Sequence, residues 1–133
     1  MPKCIFCDIV KSKSTCFTIY ETRDFLAFLD MVPLCEGHTL VIPKRHYEWV
    51  WDIKEVGRFF EVCQKIADHF REITKNDMVI CYATGKEVPH AHMHILPPTP
   101  GHERFFTTSS KHDIIALDCR SAQRIVKKYK LQD

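Results

Sequence analysis

Residues 90–96 read His90-Ala91-His92-Met93-His94-Ile95-Leu96, three histidines in strict alternation with apolar residues. Successive side chains of an extended strand point to opposite faces. The run therefore predicts a strand with its three imidazoles on one face and Ala91, Met93 and Ile95 on the other. Imidazoles placed side by side suit metal binding, or chemistry that needs a nitrogen nucleophile with proton donors beside it.

The chain has 133 residues and 45% hydrophobic composition, enough for one compact domain with a core and outside the range of disordered sequences. No apolar run approaches the length that crosses a bilayer. A formal net charge of +2 is too small to argue for a nucleic-acid or membrane surface, so neither partner is expected. The cluster Lys127-Lys128-Tyr129-Lys130 reads as the solvated end of a helix, where cations are favourable. The start, Met1-Pro2-Lys3-Cys4, lacks the apolar stretch of a signal peptide. The seven cysteines are an odd number that cannot pair completely, and they point to a reducing compartment: the cytoplasm, with the nucleus also open. Cys16, Cys35, Cys63, Cys81 and Cys119 are expected as small core or surface thiols. Cys4-Ile5-Phe6-Cys7 is a separate case, because zinc knuckles and redox pairs share its Cys-x-x-Cys spacing. No βαβ pattern of a redox domain accompanies it, and structural zinc needs two further ligands.

Residues 4–11 read as a short helix. Phe17–Glu21 and Phe25–Asp30 read as strands joined by Thr22-Arg23-Asp24, and residues 38–43 (HTLVIP) as a third strand closed by Pro43. Residues 54–74 carry Val56, Phe59, Phe60, Cys63, Ile66, Ala67, Phe70 and Ile73 at intervals of three and four, which predicts a long amphipathic helix. Met78–Ala83 and His90–Pro97 supply a fourth and a fifth strand. A less regular stretch runs from Pro98 to Asp113, and residues 118–130 read as a last helix with Ala122, Ile125, Val126 and Tyr129 on one side. Short links favour antiparallel pairing. The expected class is α+β: a five-stranded antiparallel sheet with one long helix on a face.

The order of these pieces resembles the histidine triad (HIT) family, whose signature is His-φ-His-φ-His-φ-φ with φ apolar. CIFCDIV, FLAFLDMVP, GHTLVIPKRH, the long helix and GKEVPHAHMHILPP follow the layout of that family over residues 4–98. Residues 99–133 form an extension with no matching motif, so the expectation is a single HIT domain spanning residues 1–133.

The resemblance implies a nucleotide hydrolase or transferase that acts at the α-phosphate of a purine nucleotide conjugate, a nucleoside phosphoramidate or a dinucleoside polyphosphate. Neutral imidazole is a competent nucleophile near pH 7, and the phosphoramidate it forms is itself labile to water. The resemblance makes His92 the nucleophile carrying a transient nucleotidyl group, His94 a neighbour that orients it and contacts phosphate, and His38 the fourth histidine of the site. It places Asp30 on the ribose hydroxyls and Ile5, Phe6, Ile9, Phe28 and Leu40 around the base. It also implies structural zinc held by Cys4, Cys7, His46 and His90, and a homodimer whose sheet continues across a two-fold axis beside the long helix, with some of Phe59, Phe60, Cys63 and Phe70 near the interface.

The loop before the triad departs from the family. Many members have an asparagine at the end of the fourth strand, followed by Gly-Gln-Ser/Thr; here the strand runs Cys81-Tyr82-Ala83 and the loop Thr84-Gly85-Lys86-Glu87-Val88-Pro89. Gly85 keeps the turn, and Lys86 offers a cation to a phosphate where the glutamine would stand. The lost side chains bear on rate and leaving group. Two other readings follow: a nucleotide-binding module of weak catalysis, and a structural zinc protein whose triad ligates metal.

Overall fold

The computed structural model describes residues 3–85, 87–107 and 116–132. The elements are α1 (Ile5–Val10), β1 (Thr18–Glu21), β2 (Phe25–Leu29), β3 (Thr39–Pro43), a 3-10 turn at Val50–Asp52, α2 (Val56–Thr74), β4 (Ile80–Tyr82), β5 (Met93–Leu96), α3 (Arg104–Thr107) and α4 (Cys119–Tyr129). The sheet runs β1-β2-β3-β5-β4 with every neighbouring pair antiparallel, giving the expected α+β architecture.

Both faces of the central strands are covered, which is why FLAFL and TLVIP are apolar throughout rather than alternating. On one side Phe25, Ala27, Leu29, Val41, Ala91, Met93 and Ile95 pack with Phe59, Cys63, Ile66 and Phe70 of α2 and with Ala122, Ile125 and Tyr129 of α4. On the other, Leu26, Phe28, Leu40 and Ile42 pack with Cys4 and Phe6 of the α1 segment. The period-2 rule thus sorts successive residues of one strand into two cores.

The helices end where local chemistry requires. Cys4 caps α1 by accepting from Cys7 N. The residue after α2, Lys75, turns left-handed at φ 56°. Asp118 caps α4 by accepting from Ser121 N at 2.7 Å. The main chain after α4 returns to β1 through Leu131 N to Ile19 O, 2.9 Å.

Several expectations change. The fifth strand enters the ladder at Met93 and not at His90, since the backbone at Ala91 donates to Tyr47 O at 2.7 Å instead. The fourth strand is only Ile80–Tyr82. Of the eight-residue stripe on α2, Phe59, Cys63, Ile66 and Phe70 are buried, whereas Phe60 is 41% exposed. The 3-10 turn and α3 fall where no element was expected. Val126 is only half buried. Lys86 and residues 108–115 lie outside the described residues. Among those described, no helix is long and apolar enough to cross a membrane.

Candidate active site and metal centre

The Cys-x-x-Cys pair is brought to the start of β5. Donor atoms of Cys4, Cys7, His46 and His90 all lie within 4.8 Å of one another. Cys4 Sγ and His90 Nδ1 are 3.3 Å apart, Cys7 Sγ and His46 Nδ1 3.3 Å, Cys7 Sγ and His90 Nδ1 3.5 Å, and the two Nδ1 atoms 3.2 Å. A tetrahedron of zinc bonds about 2.0–2.3 Å long has edges of about 3.3–3.8 Å. The four side chains therefore fit a closed Cys2His2 zinc site as they stand. His90 meets a second requirement: its Nε2 donates to Pro43 O at 2.8 Å, which leaves Nδ1 unprotonated for a metal. Desolvation holds the His90 pKa below its usual value, so the ring stays neutral. Burial and the adjacent Cys4 push the Cys7 thiol up to about 11, so a metal would have to displace its proton.

The second and third histidines of the run have different partners. His92 Nδ1 donates to His90 O at 2.7 Å, so the proton sits on Nδ1 and the lone pair on Nε2. Phe6 packs edge-on against the His92 ring at 5.3 Å and against His90 at 5.8 Å. His92 is 4% exposed and His94 9%.

His94 is joined to His38. Leu34 N donates to His38 Nδ1 at 3.0 Å, which puts the His38 proton on Nε2. That Nε2–H donates to His94 Nδ1 at 2.9 Å, so His94 in turn carries its proton on Nε2. Asp30 Oδ2 lies 3.5 Å from the same His38 Nε2, and Asp30 Oδ1 accepts from Val32 N at 2.9 Å. Asp30, His38 and His94 are close enough to suggest a metal site. The tautomers argue against it, because the His38 nitrogen that faces the other two is a donor. The row is a hydrogen-bond relay from Leu34 N through His38 to His94, which carries its own proton on Nε2.

The structure brings together His38, His92, His94 and Asp30, and separately Cys4, Cys7, His46 and His90. Of the expected base-pocket residues, Phe6, Phe28 and Leu40 lie together in the core below α1, with Ile9 half buried against them. Ile5 is 50% exposed and stands outside that cluster. Spacing alone did not find Tyr82 and Phe105: Tyr82 stacks on His94, and Phe105 packs on Tyr82. The cross-strand register that pairs Tyr82 with His94 is the missing signal. Beside the triad, Trp49 lies against Gly85, where a Cβ would come within 2.6 Å of its ring; with φ +66° this position demands glycine. Trp49, Trp51, Gly85 and His92 share the lining of one small cavity.

A sequence model of the HIT domain matches residues 11–101. An uncharacterised HIT-like protein of Methanocaldococcus jannaschii is 38% identical over 108 residues, covering 74% of this chain and 81% of that protein. The adenosine 5'-monophosphoramidase HNT1 of Saccharomyces cerevisiae is 38% identical over 99 residues, covering 71% of this chain and 61% of that protein. The crystal structure of a Zn-bound histidine triad family protein from Mycobacterium smegmatis superposes with a TM-score of 0.72 at 28% identity, over 96% of this chain and 93% of that one. On the match through the triad, the relatives and the shared fold, this chain belongs to the HIT domain family.

Proposed function

We propose that this chain is a hydrolase or transferase of purine nucleotide conjugates that works through a covalent nucleotidyl group on His92. The observation that carries the reading is the bond from His92 Nδ1 to His90 O, which leaves the Nε2 lone pair without a hydrogen bond among the described residues. Nε2 attacks the α-phosphorus, and the bond from phosphorus to the amine or phosphate leaving group breaks. Water then displaces the imidazole, releasing the nucleoside monophosphate and returning His92 to its starting state. The N–H of His94, aligned by His38, stabilises charge on the phosphoryl oxygens. Asp30 receives the ribose hydroxyls, Phe6, Phe28, Leu40, Ile9 and the edge of Ile5 enclose the base, and Lys86 meets a phosphate. The similarity to a yeast adenosine 5'-monophosphoramidase supports a phosphoramidate as the first substrate to try, with dinucleoside polyphosphates second.

In this reading residues 1–133 form one domain, the cluster of Cys4, Cys7, His46 and His90 holds a structural zinc that ties α1 to the sheet, and the protein is a cytoplasmic homodimer. The test is turnover across adenosine phosphoramidates, dinucleoside polyphosphates and adenylylated amines. The wild type is expected to hydrolyse at least one of them. The absence of asparagine at the end of β4 favours a second reading, a nucleotide-binding module; binding of a purine monophosphate without turnover on any substrate would select it. The His94 tautomer, with Nδ1 accepting from His38 and the proton on Nε2, speaks against a triad that ligates metal through His92 and His94.

A further inference from the structure

His94 and Tyr82 are direct cross-strand partners on β5 and on the edge strand β4. Their rings lie parallel, 4° from coplanar, with centroids 4.3 Å apart. Phe105 of α3 packs on Tyr82 at 4.8 Å and 30°, and Phe106 abuts Phe105 at 5.2 Å. The other rings near His94 meet it obliquely: His38 at 54° and His92 at 64°. A hydrogen bond from His38 restrains the Nδ1 of His94, but a single hydrogen bond tolerates a range of angles and so some rocking of the ring. A parallel neighbour removes this freedom.

We propose that Tyr82 is a positioning residue: its stack on His94 sets the imidazole plane and so aims the His94 Nε2–H at the phosphoryl oxygens. Tyr82 is the last residue of β4, a strand that here ends without the asparagine many members of the family carry. Phe105, on the chain's own C-terminal extension, supports Tyr82 in turn. Burial, then the carboxylates of Asp30 and Glu87, push the Tyr82 hydroxyl up to about 12, so it stays protonated at neutral pH and the ring is the working part.

This inference rests on the nucleotidyl-transfer reading, and its test separates the two. Tyr82→Phe, Tyr82→Leu and Phe105→Leu are compared with wild type for kcat, KM and the through-bond 15N–15N coupling across the His38 Nε2–H to His94 Nδ1 bond. Tyr82→Phe is expected to keep all three. Tyr82→Leu is expected to lose roughly ten- to a hundred-fold in kcat with KM within about two-fold, the pattern of a misaimed transition-state donor, and to weaken the coupling. Phe105→Leu lies off the sheet, so it tests the clamp if Tyr82→Leu folds poorly; a smaller loss of kcat and coupling is expected. A Tyr82→Leu protein with unchanged kcat and coupling overturns the proposal, and so does a Tyr82→Phe protein as impaired as Tyr82→Leu. If the coupling responds as stated but wild type turns over no substrate, the clamp stands and the nucleotidyl-transfer reading fails.

Discussion

His90 accepts the Nδ1–H of His92 on its main-chain oxygen at 2.7 Å while its own ring nitrogen faces the thiols of Cys4 and Cys7. One residue thus holds both the metal cluster and the tautomer of its neighbour. The cluster has the ligand set of a structural zinc site, and it sits one hydrogen bond from the ring whose Nε2 is proposed to do the chemistry.

Metal analysis should therefore find close to one zinc per chain. Cys4→Ser with Cys7→Ser should lose it, lower the melting temperature, and reduce turnover more than purine monophosphate binding, because a freed His90 no longer fixes the His92 carbonyl partner. Zinc uptake should weaken as pH falls, since the Cys7 thiol must release a proton. Intact zinc in the double variant, or a metal-free wild type of equal stability, contradicts the site.

Asp30→Ala should weaken ribonucleotide binding more than 2′,3′-dideoxynucleotide binding, by about 1.5–3 kcal/mol for bonds to a charged acceptor. Calorimetry on the two ligands checks this. Equal weakening would place Asp30 outside the sugar site, with its contacts to His38 and Val32 as its structural role.

Glu36 accepts from Tyr129 Oη at 2.9 Å and from Lys128 Nζ at 3.2 Å, tying α4 to the loop before β3. Burial pushes its carboxyl up, but those two bonds outweigh it and the pKa falls below the usual value. A carboxylate depressed on folding stabilises above its unfolded pKa and loses that contribution as pH falls through the folded one. The side chain is 39% exposed, so the gain is under about 1 kcal/mol. Glu36→Gln should lower the melting temperature at pH 7, and the gap to wild type should close in acid. A gap constant from pH 7 to below the folded pKa would refute the assignment.

The edge strand β4 pairs only with β5 among the described residues, and Phe60, at 41%, and Met78, at 57%, are exposed. Phe59, Cys63 and Phe70 are spent inside the chain, which narrows the expected interface to Phe60, Met78 and the outer edge of β4. Light scattering at micromolar concentration should report about twice the 15.6 kDa chain mass. A clean monomer refutes the dimer.

The alternation at 90–96 was legible because a period of two has one physical reading. What it did not show is that His90 turns toward Cys4 and that pairing starts at Met93, both set by contacts with distant residues. The helix at 56–74 was legible from its period, but its stripe was wider than the face the sheet can cover, so Phe60 was left outside. The 3-10 turn and α3, three and four residues long, are too short to show a period. His38 reached the site only through resemblance, since 56 residues separate it from His94. The missing asparagine at the end of the fourth strand was visible, but the stacking of Tyr82 on His94 was not, because the register of β4 on β5 is tertiary information.

In the proposed reaction His92 Nε2 forms a bond to phosphorus. Rapid quenching during turnover of an adenosine phosphoramidate, followed by intact-mass and peptide analysis, reads it directly. An added nucleoside monophosphate is expected on the peptide containing His92 and not in His92→Ala, which is expected to fold and bind purine monophosphate without turnover. Wild-type turnover in His92→Ala, or the adduct on another residue, would contradict it.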